Sequence, residues 1–221
     1  KTLGNGLVAF YPFNGNYKDE SGNANHGAAI NSTLIADRFN KAKSAAHTNG
    51  INACVKVPHS AKINFAHNVE FAIALWVKIP KDQPKLGNNH DILNKWNSYS
   101  RYPYTLRTFD SKSPSAHGKI LFGRWDVYRF PHAYSKSAIN DDKWHHLVLM
   151  KKSSSLHLYI DGKLSNSVAD TTTGVTNNDP LYLGCRGLPP NHWRFFKGGI
   201  DDLRIYDRAL TSTEITKLSG I

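Results

Sequence analysis

A chain of 221 residues, 40% of them hydrophobic, is long enough to bury one sizeable core, and a single domain over residues 1–221 is expected. The 28 Lys and Arg residues outnumber the 17 Asp and Glu, giving a formal charge of +11; such a field draws polyanions (nucleic acid, an anionic surface or an acidic polysaccharide) without choosing among them. No apolar run approaches the roughly 20 residues of a membrane-spanning helix and the opening KTLGNG has no signal-peptide core, so membrane insertion is not expected and any export signal is expected outside this sequence.

From the N-terminus, short apolar runs predict strands at 7–13, 51–57, 71–79, 91–96, 104–109, 119–125, 144–151, 156–160, 181–185 and 199–206. Turn clusters such as SKSPS, IDGK, NNDP and GLPPN separate them, the rhythm of an all-β sandwich. Alternation places Trp76 and Trp144 on inward faces. His145 and His146 are adjacent on one strand, point to opposite faces and make no metal pair. The other histidines lack HxH or HExxH spacing, which argues against zinc. Asp161-Gly162 joins two strands as a tight hairpin. Thr211-Ser212-Thr213-Glu214, followed by an apolar pair, predicts a capped terminal turn, the one helical segment. Cys54 and Cys185, more than 100 residues apart in predicted strands, fit either one long-range disulfide or two small buried hydrophobes. Neither has CxxC spacing.

Two carboxylates stand out. Asp201 shares strand parity with Leu203 and Ile205, so alternation points it at the core. A buried ionised carboxylate needs a partner, and Asp19 lies in a loop, DESGNANHG, whose carbonyls can curl around a cation. A calcium ion shared by the two ends of the chain satisfies both; a sodium ion, or a pair between Asp201 and Lys or Arg, is the alternative.

The segments carrying these residues, LVAFYPFNGNYKDESGNANHG (7–27) and KGGIDDLRIYDRALTSTEI (197–215), together with WHHLVLMKKSSSLHLYIDGKL (144–164) and PLYLGCRG (180–187), resemble the laminin-G-like branch of the concanavalin A-like lectin/glucanase superfamily nearly end to end. The resemblance implies a jelly-roll β-sandwich of two antiparallel sheets, one concave, with ligands on the concave face or its rim loops. It also implies a structural calcium at Asp19 and Asp201, with backbone oxygens near Gly22, Asn25 and Asn49. Where the family often has Phe-Asp-Gly, this chain has Thr48-Asn49-Gly50, which removes a charge from that site.

The middle of the chain is basic and aromatic. Between 95 and 136, Lys95, Arg101, Arg107, Lys112, Lys119, Arg124, Arg129 and Lys136 face only Asp110 and Asp126, interleaved with Trp96, Tyr99, Tyr102, Tyr104, Trp125, Tyr128 and Tyr134. A second cluster holds Arg186, His192, Trp193 and Arg194. A pyranose packs its C–H face on an aromatic ring, and Arg presents a donor fork matched to sulfate or carboxylate. The ligand-binding candidates are Trp193, Arg124, Trp125, Arg107, Tyr104, Trp96, Arg129, Arg186 and Arg194. Parity separates two of them: Ile120, Phe122 and Arg124 share one face of their strand, Leu121 and Trp125 the other.

Catalysis is poorly provided for. Glycoside hydrolysis needs two flanking carboxylates, and the three glutamates, Glu20, Glu70 and Glu214, lie far apart. Tyr104, His117, Arg107 and Arg124 supply the residue types of a polysaccharide lyase without its motifs. The expectation is a non-catalytic module for an anionic polysaccharide, sulfated ones among the candidates, with a protein-interaction or adhesion module, then a lyase, as alternatives. No nucleic-acid motif is present. The chain is expected to be monomeric, attached to other domains, and secreted or at the cell surface.

Overall fold

A computed structural model describes residues 3–84, 87–96, 101–187 and 193–220. In chain order the strands are β1 (Leu7–Tyr11), β2 (Ala28–Ile30), β3 (Thr33–Ile35), β4 (Ala45–Asn49), β5 (Cys54–Val57), β6 (Phe71–Lys78), β7 (Asn89–Asn94), β8 (Tyr102–Phe109), β9 (Ile120–Trp125), β10 (His132–Tyr134), β11 (Trp144–Lys152), β12 (Ser155–Ile160), β13 (Lys163–Ala169), β14 (Leu181–Leu183) and β15 (Lys197–Tyr206), followed by helix α1 (Ser212–Ser219). They form two antiparallel sheets. The larger runs β13-β12-β11-β6-β15-β4-β3, with β1 also on β15; the smaller runs β10-β9-β8-β7-β14-β5-β2.

Alternation builds the core between the sheets. In β6, Phe71, Ile73, Leu75 and Val77 point inward against Leu106, Ile120 and Phe122 of the smaller sheet, and each such large side chain contributes about 2 kcal/mol by leaving water. The opposite residues of β6, Ala72 and Ala74, lie under α1 through Leu210, Ile215 and Leu218. The helix starts as its sequence predicts: the Thr211 hydroxyl accepts from the Glu214 N–H while the Glu214 carboxylate accepts from the Thr211 N–H. Asp161 and Gly162 take φ of 48° and 75° between the paired ends Ile160 and Lys163, the left-handed conformation a tight hairpin requires.

Three expectations are corrected. Trp76 and Trp144 are half-buried and face away from the core, because the inward positions of β6 are the odd-numbered ones. Trp144 lies against Gly199, where a Cβ would come within 2.7 Å of its ring. Asp201 also turns outward: β15 bulges between Asp201 and Arg204, with Asp202 at φ 52°, and the extra residue reverses the parity that Leu203 and Ile205 suggest. Asp201 is nonetheless buried, because Arg38 folds over it. The short strands β2, β3, β4 and β10 have no strong periodic signal and were not anticipated.

His146 sits opposite Trp76 in register, its ring 5.2 Å away, and is 2% exposed. Burial pushes its imidazole down to about 4, with Asp161 and Asp202 opposing and Arg38 and Arg204 reinforcing the shift. Its folded value lies below the ordinary 6.5, so between pH 6.5 and 4 the unfolded chain takes a proton that the folded chain refuses. This contribution is present above pH 6.5 and falls away towards pH 4, by up to about 3 kcal/mol. Asp201, which burial pushes up to about 7 against the pull of Arg38, acts in the opposite sense over the same range, gaining stability as pH falls. The difference between wild type and His146→Gln isolates the histidine. Between pH 6.5 and 4, urea unfolding should show the variant losing up to about 3 kcal/mol less stability than wild type, whereas the same change in both would mean that folded His146 is charged.

Candidate functional site

Alternation sends Asp91 of β7 and Arg107 of β8 to the outer face of the smaller sheet, opposite one another in register. Arg186, immediately after Cys185, reaches the same carboxylate from beyond β14. It grips both carboxylate oxygens of Asp91, Nε on Oδ2 at 2.7 Å and Nη2 on Oδ1 at 2.9 Å, and Arg107 Nε lies 3.0 Å from Oδ1 as well. Asp91 is fully buried. Burial alone would push its carboxyl up, but Arg186 and Arg107 hold it below the usual carboxylate range, so it is a fixed negative charge serving two cations.

The rings gather around those guanidiniums. Trp96 and Trp193 meet edge to face at 5.9 Å, and Arg186 lies 5.0 Å from each ring centre. Arg194 lies 4.8 Å over Trp193 and donates to the Asn88 side chain at 2.8 Å. Arg107 lies 5.7 Å from Tyr102 and 5.8 Å from Phe130, and Trp125 is 5.7 Å from Tyr102. Trp96, Tyr102, Arg107, Trp125, Phe130 and Arg186 line an open cleft of about 270 Å³.

Local chain geometry makes this assembly firm. Arg186 and Trp193 exchange two backbone hydrogen bonds, of 2.7 and 3.0 Å, which hold the two residues side by side, with the Trp193 ring at 38% exposure. A Cys54–Cys185 disulfide pins the residue before Arg186 to β5. Beside Trp96, the fully buried Lys95 ammonium donates to the Asn177 and Asp179 carbonyls and the Asn177 side chain, at 2.6 to 3.1 Å, and also meets His59. Burial pushes Lys95 down to about 8, and its charge serves the scaffold rather than the surface.

Of the residues the sequence singles out, Trp96, Arg107, Trp125, Arg186, Trp193 and Arg194 come together here. Arg124 and Tyr104 do not, which corrects their assignment. Arg124 is 0% exposed on the core face of β9, as its parity with Phe122 requires. Tyr104 is also fully buried and donates to the Ile63 carbonyl at 2.8 Å; burial raises its hydroxyl well above the ordinary value, the wrong direction for a base. The lyase grouping is therefore not assembled. Arg129 sits between β9 and β10, 3.4 Å from Asp126, and does not line the cleft. His192 and Tyr99 lie outside the described residues. Asp91, Tyr102 and Phe130 were not among the candidates. As the lone acid of its predicted strand Asp91 carried a local signal, but none of its partners.

The calcium residues are engaged otherwise. Asp19 faces donors: its oxygens accept from the N–H groups of Phe10, Ser21 and Asn25 at 2.8 to 2.9 Å. Against the cost of burial, these hold its carboxyl below the usual range. Asp201 pairs with Arg38 Nη1 at 2.5 Å, while Arg38 Nη2 reaches Asp202 at 2.8 Å. Asn49 Oδ1 accepts from Ile51, Asn52 and Ala53 N–H groups. A calcium ion needs six or more oxygens turned towards it. The side-chain oxygens of Asp19, Asp201 and Asn49 are turned to N–H donors and to Arg38.

Residues 49–216 match the model of the Concanavalin A-like lectin/glucanases superfamily. The chain is 24% identical over 212 residues to Paraclostridial mosquitocidal protein 1 of Paraclostridium bifermentans, covering 91% of this chain and 16% of that protein. The crystal structure of the binding domain of that protein superposes with a TM-score of 0.80 at 20% identity, over 99% of this chain and 52% of that one. Domain 4 of AbnA, a GH43 extracellular arabinanase from Geobacillus stearothermophilus solved with arabinotriose, superposes with a TM-score of 0.69 at 22% identity, over 96% and 98% of the two chains. The binding domain of botulinum neurotoxin DC, in complex with rat synaptotagmin II, gives 0.75 at 14%, over 99% and 52%. At these identities the solved structures establish the jelly-roll fold. Among the described residues, no helix is long and apolar enough to cross a membrane.

Proposed function

The chain belongs to the Concanavalin A-like lectin/glucanases superfamily, and we propose that it is a non-catalytic binding module that holds an acidic, sulfated or uronate-bearing polysaccharide in the Arg and Trp cleft of its smaller sheet. The observation that carries this reading is the charge count at that cleft. Arg186 and Arg194 lie against Trp193, Arg107 joins Arg186 on Asp91, and Asp91 is the one carboxylate paired with these guanidiniums among the described residues. Two cations share one buried anion and a third, Arg194, is held beside them by Asn88, which leaves a surplus of positive charge next to ring faces suited to a pyranose. The Cys54–Cys185 bridge suits an oxidising, extracellular setting. Attachment to further domains fits a chain that spans 16% of its curated relative.

Affinity electrophoresis and calorimetry against carrageenan, porphyran, fucoidan, alginate and pectin, with neutral arabinan as control, test the reading. Retardation by at least one charged glycan is expected, weakened about tenfold by Trp193→Ala and by Arg194→Gln, a loss of about 1.4 kcal/mol each. Binding of arabinan alone, or of none of these, overturns it. A protein-receptor role is the second reading, on the likeness to the botulinum neurotoxin DC binding domain solved with synaptotagmin II. It would be favoured by a protein ligand that Trp193→Ala releases while no glycan binds.

A further inference from the structure

The aromatic rings do not stop at the Arg cleft. Beyond Arg107 the Phe130 ring lies over β9, where Gly123 makes room for it: a Cβ there would come within 2.8 Å of that ring. Phe130 stacks on His132 at 4.6 Å, His132 meets Tyr134 edge to face at 5.3 Å, and Tyr134 lies 5.6 Å from Phe109. His132 and Tyr134 pair with Gly123 and Leu121 of β9, and Leu121 pairs with Arg107, so all of them share the outer face. Ala133 between them faces the core, fully buried.

The rings and guanidiniums therefore cross the sheet at right angles to its strands, from Trp193 beside β14 to Tyr134 on β10. Four strand spacings separate those ends, about 19 Å, on the order of four linked pyranose rings. Cationic side chains cluster at the β14 end. Phe130, His132 and Tyr134, at the β10 end, offer ring faces, and Tyr134 is 37% exposed. A site for a terminal sugar would need only the cleft.

We propose that the module binds an internal stretch of a linear acidic polysaccharide laid across the strands, with Phe130, His132 and Tyr134 forming a distal subsite that stacks a ring two or more units away from the charge held by Arg107 and Arg186. This rests on the glycan reading of the cleft, and it makes chain length, not only charge, the determinant of affinity.

Intrinsic tryptophan fluorescence, to which Trp96, Trp125 and Trp193 contribute, reads the test on the whole chain. The probes are κ-carrageenan oligosaccharides of two, four, six and eight rings for sulfate, oligogalacturonates of matched length for carboxylate, and polyglutamate as an acidic peptide. In at least one glycan series affinity should rise at least about tenfold from two rings to four or six and then level off; Tyr134→Ala and His132→Ala should remove about five- to tenfold of the six-ring affinity and leave the two-ring affinity unchanged. Equal affinity for two and six rings, or a Tyr134→Ala variant that binds six rings like wild type while Trp193→Ala does not, overturns the distal subsite and spares the cleft. Binding of polyglutamate with neither glycan series, or of no probe, overturns the distal subsite, and overturns the cleft as well when porphyran, fucoidan and alginate also fail to retard the chain.

Discussion

Replacing Arg124 with alanine is expected to lower folding stability by about 4 kcal/mol while leaving glycan affinity unchanged at temperatures where the variant is folded. Arg124 is basic, sits next to Trp125 and belongs to the most cationic part of the chain, so the sequence makes it a surface candidate. In the fold it is an internal clamp. Its Nε donates to the Pro103 carbonyl at 2.7 Å, Nη2 donates to the Phe65 and Ala66 carbonyls at 2.7 and 3.0 Å, and Nη1 pairs with Asp170 at 2.8 Å. The guanidinium also lies 5.3 Å from the Phe71 ring centre. Truncation would strand three carbonyls and leave Asp170, whose side chain is 1% exposed, with only Lys151 at 3.6 Å as a cationic partner. Breaking a buried pair from one side costs more than the pair contributes, because the remaining charge stays buried. For a chain of this length a melting temperature lower by about 10 °C should accompany the loss. Arg124→Lys keeps the charge but cannot make the fork, and should fall between the two. A variant that melts like wild type but fails to bind would return Arg124 to the surface.

The second large effect concerns Cys54 and Cys185. Their bridge closes a span of 131 residues, and on the chain-entropy account removing a cross-link over so long a loop costs about 5 kcal/mol. The double Cys→Ala variant should therefore lose about as much as Arg124→Ala in urea unfolding. It should differ in one respect. Cys185 directly precedes Arg186, whose backbone holds Trp193 by two hydrogen bonds, so loosening β14 from β5 frees the rim of the cleft. A loss of charged-glycan affinity is expected together with the loss of stability, whereas Arg124→Ala shows only the latter. Unchanged stability after reduction would mean that the free thiols pack as well as the bridge.

Much of the fold is legible from periodicity. The apolar alternation of β6, β11 and β15, the Asp161-Gly162 turn and the Thr211–Glu214 capping pair are local features whose physics acts within a few residues. The site was half legible. Composition drew attention to the Arg and aromatic stretch, and parity separated Arg124 from Trp125 without saying which of the two faced the core. Asp91 escaped notice because its meaning depends on Arg186, which lies 95 residues further on.

The sequence by itself determined an all-β sandwich, its main strands, its capped C-terminal helix and a surplus of Arg and aromatic residues in the middle of the chain, because side-chain alternation and turn chemistry are short-range. Only the tertiary structure decided which face of β9 is buried, that a bulge at Asp202 turns Asp201 outward to Arg38, that the two cysteines meet, and that Asp91, Arg107 and Arg186 share one charge cluster beside Trp96 and Trp193. Those outcomes rest on sheet order and on single-residue slips in register, and a one-residue slip exchanges the two faces of a strand without changing its composition.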